Sequence, residues 1–187
     1  MSHNPLFNAS FHQALFQIDH AEADRVQSRG CDHCAGPLHQ AHYPRIGFGV
    51  KTEYAHFYQL RLSFCCGTCR RRTTPKSVRF AGQRRFISSV FLLLSALRLS
   101  PSEARCETIA RRYGVQISVS TWKRWRSWWQ QLPATSCWSF AKTRVGILPL
   151  RRPLPKSLLA VFSGETLMIR LVHLLRFLSP LSCRAPG

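Results

Sequence analysis

The sequence predicts an α+β protein: a small three-stranded sheet pinned by a metal, followed by a mainly α-helical region. Three observations predict it. Two cysteine pairs, Cys31-x-x-Cys34 and Cys66-x-x-Cys69, stand at the separation of a few short strands. An apolar run from Phe86 to Leu99 reads as a buried helix. Between Ser100 and Gln131, a helix, a glycine turn and a tryptophan-rich basic helix follow in succession.

The charge of the chain sets its class of partner. Across 187 residues, 27 Lys and Arg oppose 8 Asp and Glu, a formal net charge of +19. Such a chain binds polyanions, because neutralising phosphates releases counterions whatever the sequence of the nucleic acid. Arginine outnumbers lysine and suits bidentate phosphate and guanine contacts. An anionic membrane and a ribosomal surface are the blander alternatives. The first twenty residues lack a basic and then an apolar region, so no secretory signal is expected. The Phe86–Leu99 run is about half the length that spans a bilayer. No membrane partner is expected.

In chain order, residues 1–28 form an N-terminal helical arm. Phe11, Leu15, Phe16 and Ile18 suggest a short helix over about 9–26 that packs weakly, with His3, His12 and His20 in solvent. Residues 29–82 form the cysteine module. Thiolates on a tight turn, with backbone N–H groups aimed at sulfur, make a metal knuckle. Gly36-Pro37 places such a turn after Cys34. The run Tyr54 to Phe64 alternates apolar and polar residues, as a half-buried strand does, and Lys76 to Phe80 alternates again as a third. Together these describe a zinc ribbon holding one structural Zn(2+). Cys31, Cys34 and Cys69 have no close rivals as ligands. Cys66 gives the usual C-x-x-C spacing, and Cys65 is the alternative, since neighbours on a strand point to opposite faces. His33 or His39 could substitute. Four thiolates leave no open coordination position, so the site is structural.

Arg70, Arg71 and Arg72 leave the second knuckle together. With Arg79, Arg84 and Arg85 they are expected to form a phosphate-contacting patch. Residues 83–132 read as three helices. The first spans Arg85–Arg98. The second restarts at Ser100-Pro101, carries Cys106, Ile109, Ala110 and Tyr113 on one face, and is closed by Gly114. The third begins near Ser120-Thr121 and places Trp122, Trp125 and Trp129 on one side as core. Ser120, Thr121, Lys123, Arg124 and Ser127 are left for DNA, with Gln131 on the same side. That order is the outline of a helix-turn-helix. Residues 133–155 form a linker with Pro133, Pro149, Pro153 and Pro155, where Trp138 and Phe140 could cover the helices and Arg151 and Arg152 add charge. In the C-terminal helical segment, 156–187, an apolar stripe at 167, 171, 174, 175 and 178 suits packing or homodimer formation. Cys106 reads as a buried thiol, and Cys137 and Cys183 as free ones.

Taken together, Cys31-x-x-Cys34-Gly36-Pro-Leu38, Tyr43-Pro-Arg45, Ser63-Phe-Cys-Cys-x-x-Cys-Arg-x-Arg-Thr-Thr-Pro75-x-Ser-Val-Arg-Phe80, Thr121-Trp-x-Arg-Trp-Arg-x-Trp-Trp129 and Leu174-Leu-Arg-Phe-Leu-Ser-Pro180 resemble short bacterial transposon-associated proteins. Those are similar to the zinc-ribbon and helix-turn-helix front end of insertion-sequence transposases. The resemblance implies DNA binding linked to mobile elements. Helix geometry favours double-stranded DNA, metal-bound thiolates fit a reducing, cytoplasmic and nucleoid-associated location, and a separate transposase chain could supply a catalytic domain. RNA or a ribosome is the alternative partner. An enzyme is not expected. Two-metal nuclease chemistry needs clustered carboxylates, and Asp19, Glu22, Asp24, Asp32, Glu53, Glu103, Glu107 and Glu165 form no convincing triad. His20-Ala-Glu22 lacks the Pro-Cys-x-x-Cys of a zinc deaminase.

Overall fold

The computed structural model describes residues 8–82, 84–97, 100–132 and 154–182. It is a mixed α+β structure. Helix α1 (Ala9–Arg29) leads into short strands β1 (Leu38–Gln40) and β2 (Tyr43–Pro44). A 3-10 helix (Thr52–Tyr58), then β3 (Leu60–Arg61), β4 (Phe64–Cys66) and β5 (Arg72–Thr73) follow. Helices α2 (Ser88–Ala96), α3 (Glu103–Tyr113), α4 (Val119–Gln131), α5 (Lys156–Val161) and α6 (Leu167–Leu178) complete the described chain, ending in a 3-10 turn (Ser179–Ser182). His3, Arg98, Leu99, Pro133, Cys137, Trp138, Phe140, Pro149, Arg151, Arg152, Pro153 and Cys183 lie outside the described residues.

Helix α1 starts because the Asn8 side chain accepts the Phe11 N–H at 3.2 Å. It stops at Gly30, whose φ of +84° suits glycine. Its buried stripe runs through Phe11, Leu15, Asp19, Ala23 and Val26. Far from packing weakly, α1 spans both hydrophobic clusters. Phe11 and Leu15 enter the larger one with Tyr58, Phe80, Phe91 and Trp122. Ala23 and Val26 enter the smaller one with Cys31, Leu38, Phe64 and Cys66. His12 is buried rather than solvated: its Nδ1 lies 2.7 Å from the Tyr58 hydroxyl, and its ring stacks on Tyr54. His20 is half-buried against Phe16.

The small sheet is antiparallel in the order β1-β4-β5, pairing Leu38 with Cys66 and Cys65 with Arg72. Strands β2 and β3 form a second pair, Tyr43 with Arg61 and Pro44 with Leu60. Two strand assignments need correction. Residues 52–58 form a 3-10 helix, because Phe57 packs on Phe16 and Tyr58 on His12 of α1. The third strand is Arg72–Thr73, not Lys76–Phe80. In the latter segment both alternating sets, Ser77 and Arg79 as well as Val78 and Phe80, are buried. The Val78 N–H goes to the Asp19 carboxylate at 2.7 Å instead of a ladder partner.

The helices wrap α2, which is buried on most sides. Helix α3 is preceded by Ser102, and Gly114 closes it in the left-handed region at φ +67°. Ser118, rather than Ser120, caps α4 by accepting the Thr121 N–H at 3.2 Å. Trp122, Trp125 and Trp129 face inward, and the Trp122 indole N–H donates to the Leu94 carbonyl at 3.0 Å. Phe91 of α2 meets Trp125, Trp128 and Trp129 edge-on or stacked. Helix α6 buries Leu171, Leu174 and Leu175 in this same core, against α2. The heart of its apolar stripe is therefore used within the chain.

Candidate metal centre and basic surface

The two knuckles are built alike. In the first, the Ala35 N–H reaches the Cys31 carbonyl at 2.8 Å, and the Cys31 N–H reaches the Gly36 carbonyl at 3.0 Å. In the second, Arg70 and Cys66 pair at 3.1 Å, and Cys66 and Arg71 at 2.9 Å. The residue after each second thiol turns left-handed, Ala35 at φ +55° and Arg70 at φ +60°. The same backbone turn thus occurs twice, once on each side of the cluster. Gly36 and Gly67 sit where the halves meet. A Cβ at Gly36 would lie 2.5 Å from Thr68 Oγ1 and 3.1 Å from Cys66 Sγ.

Cys31, Cys34, Cys66 and Cys69 bring their sulfurs within 4.8 Å of one another. Cys31 and Cys69 are 3.6 Å apart, and Cys34 and Cys66 are 3.5 Å apart. Four thiolates held tetrahedrally at about 2.3 Å from an ion stand about 3.8 Å from each other. The cluster is close to that geometry. Cys65 lies outside it. Its Sγ turns to the Arg70 carbonyl at 3.5 Å, on the other side of β4, so Cys66 is the member of the cluster.

The electrostatics of the thiols also fit a cation. The backbone N–H of Cys69, then that of Thr68, pull the Cys66 thiol down to about 6 against burial. The N–H groups of His33 and Cys34 lower Cys31. At Cys69 the Arg71 N–H pulls downward, but burial and the neighbouring sulfurs of Cys34, Cys31 and Cys66 push it up to about 12. Two of the thiols are thus lowered, and a third is raised by burial and hydrogen bonds with the sulfurs around it. A divalent ion at the centre would favour the ionised form of its ligands. These four cysteines could hold one metal ion.

The arginines beside this centre do different things. Arg70 is exposed. Arg71 Nη1 lies 3.3 Å from His33 Nδ1, which links the two knuckles. Arg72 is tied to the sheet, donating to the Ala41 carbonyl at 3.0 Å and Ser63 Oγ at 3.2 Å. Arg85 is exposed over the Phe48 ring.

Two arginines expected to meet phosphate are placed elsewhere. Arg79 is 1% exposed and its Nε is bonded to Asp19 at 2.7 Å. It also donates to the Phe57 and Leu60 carbonyls. Arg84 is half-buried between the Phe91 and Trp128 rings, and burial pushes its guanidinium down to about 10. Sequence order alone placed them in the basic block, and two of the groups that claim them, Asp19 and Trp128, are distant in the chain.

No protein-family model, curated protein or solved structure matches this chain.

On α4, Ser120, Lys123, Arg124 and Ser127 are exposed opposite the buried tryptophans. Arg124 donates to Thr121 Oγ1 at 3.2 Å, and Ser118 Oγ lies 2.9 Å from the same oxygen. The exposed face is therefore hydroxyl-rich and cationic near the amino end of the helix. Among the described residues, no helix is long and apolar enough to cross a membrane. Sequence reading missed the Arg71–His33 link and the left-handed turns. The repeated C-x-x-C followed at once by a turn is the signal that carried the latter.

Proposed function

We propose that the chain is a zinc-containing protein that binds double-stranded DNA, transposase-related or a mobile-element accessory factor, with no catalytic site of its own. The four cysteines hold one structural Zn(2+), since soft thiolates in a tetrahedral set suit it. The metal keeps a small ribbon folded, and Arg70 and Arg71 lie on the ribbon's exposed rim near phosphate. Helix α3, the Gly114 turn and α4 act as a helix-turn-helix, with α4 in the major groove.

One observation carries this reading: α4 divides into a tryptophan face locked in the core and a face of Ser120, Lys123, Arg124 and Ser127 left in solvent. Those are donors suited to base edges and phosphates. Selection of bound duplexes from random DNA, with RNA as competitor, tests the reading. Enrichment of duplexes in excess RNA supports it, and displacement of all bound DNA by RNA points to an RNA-binding protein instead.

A further inference from the structure

Where α2, α4 and α6 meet the segment that leads into α2, they leave a cleft of about 350 Å³, counting the space at its open mouth. Its enclosed part admits a group of carboxylate size. Most of the wall is apolar: Phe91 and Leu92 of α2, Trp128 and Trp129 of α4, Leu175 and Leu178 of α6. Among the described residues, one charged side chain lines it, Arg84.

The Arg84 guanidinium is uncompensated. Its Cζ lies 4.4 Å from the Phe91 ring centre and 4.3 Å from that of Trp128. Nη1 donates to the Ala81 carbonyl at 3.3 Å. Among the described residues no carboxylate pairs with it, and every ion pair there is made by another cation. Burial pushes the group down to about 10, so it stays protonated at neutral pH. A half-buried charge without a counter-ion is costly, and an anion beside it offsets that cost. The wall offers further donors. Trp129 is 1% exposed, and its indole N–H has no hydrogen-bond partner. A buried indole N–H ordinarily finds an acceptor. Ser88 adds a hydroxyl to the same wall.

Charge and wall choose the ligand. One guanidinium balances a singly charged anion. A phosphate dianion calls for a second cation, and among the described residues none lines the cleft. The two oxygens of a carboxylate match the fork of a guanidinium. The leucines and rings suit an aliphatic tail that reaches toward the mouth. We propose that the cleft binds a small aliphatic monocarboxylate, its carboxylate paired with Arg84 and its tail against Leu175 and Leu178. The site is independent of the DNA-binding reading of α4.

The test titrates the full-length, metal-loaded, isotope-labelled protein at fixed ionic strength with butyrate, with butyramide as its neutral counterpart, and with inorganic phosphate. Nuclear magnetic resonance follows the indole N–H of Trp129, assigned through the backbone, and thermal unfolding is run beside it. Butyrate is expected to shift that resonance saturably and to raise the melting temperature, because a ligand held by the folded state alone stabilises it. Butyramide and phosphate at the same concentration should do neither. Arg84→Met keeps an unbranched apolar chain against the rings and removes the charge. It should weaken butyrate binding by roughly tenfold or more, the loss of a charge-assisted hydrogen bond, while bound zinc and near-ultraviolet circular dichroism match wild type. A Trp129 resonance that does not move with butyrate, or moves equally with butyramide, overturns the site. So does an equal response to phosphate, which would mark a general anion patch. Unchanged butyrate affinity in folded Arg84→Met overturns it as well. Should that variant fail to fold, the contrast between butyrate and butyramide in wild type decides alone.

Discussion

Arg79 Nε lies 2.7 Å from Asp19 Oδ2, with both side chains 1% exposed. The pair joins the middle of α1 to the segment between β5 and α2. Asp19 also takes the Ser77 hydroxyl at 2.5 Å and the Val78 N–H at 2.7 Å. Arg79 passes its remaining donors to the Phe57 and Leu60 carbonyls. A buried charge pair holds a fold only when its other valences are filled, and here they are filled from three segments.

Removing either member strands a buried charge. Arg79→Ala and Asp19→Ala are each expected to lower unfolding free energy by about 3–5 kcal/mol. The double variant should lose less than the sum, because each loss includes the other's unpaired charge. Urea denaturation of the three variants and wild type checks this. Strict additivity would show that the two residues act independently.

The thiols separate by position. Cys34→Ser should lose bound zinc, whereas Cys65→Ser should keep one equivalent, since only the former faces the cluster. Native mass spectrometry counts the ion directly. Zinc lost from Cys65→Ser and retained in Cys66→Ser would reverse the assignment.

Chelation should act unevenly along α1. The smaller cluster contains both the thiols and Ala23 and Val26. The larger one holds Phe11, Leu15 and the tryptophans. Hydrogen exchange after zinc removal is expected to rise at β4 and around Val26 while α2 and α4 stay protected. Equal loss of protection in α4 would show that the two clusters unfold as one unit.

Local signals were legible where neighbours in sequence are also neighbours in space. The knuckles, the Gly114 stop, the tryptophan face of α4 and the leucine stripe of α6 are of this kind. Failures occur where a distant partner decides. Tyr54 to Tyr58 alternates like a strand, yet Phe16 and His12 of α1 draw Phe57 and Tyr58 to one side and coil the segment. Ser77 and Arg79 read as a solvent face because their partner, Asp19, lies 58 and 60 residues away. A separation of 46 residues from Tyr58 likewise hid the burial of His12. Charge in sequence marked the Arg79 and Arg84 region as basic surface, but it carried no information about the carboxylate and rings that claim those two side chains. The basic residues of α4 escaped this error because the tryptophans on the same helix fix which face is inward.

The central claim is that α4 presents its polar face to duplex DNA from a folded, metal-pinned scaffold. The direct measurement is fluorescence anisotropy of a labelled duplex over a range of salt, for wild type and Arg124→Ala, with thermal unfolding of both. The expected result is binding that weakens linearly with log salt in wild type, and a slope shallower by about one in Arg124→Ala. Its melting temperature should be unchanged, because Arg124 is exposed. Equal affinity and equal slope in the two proteins would contradict the account.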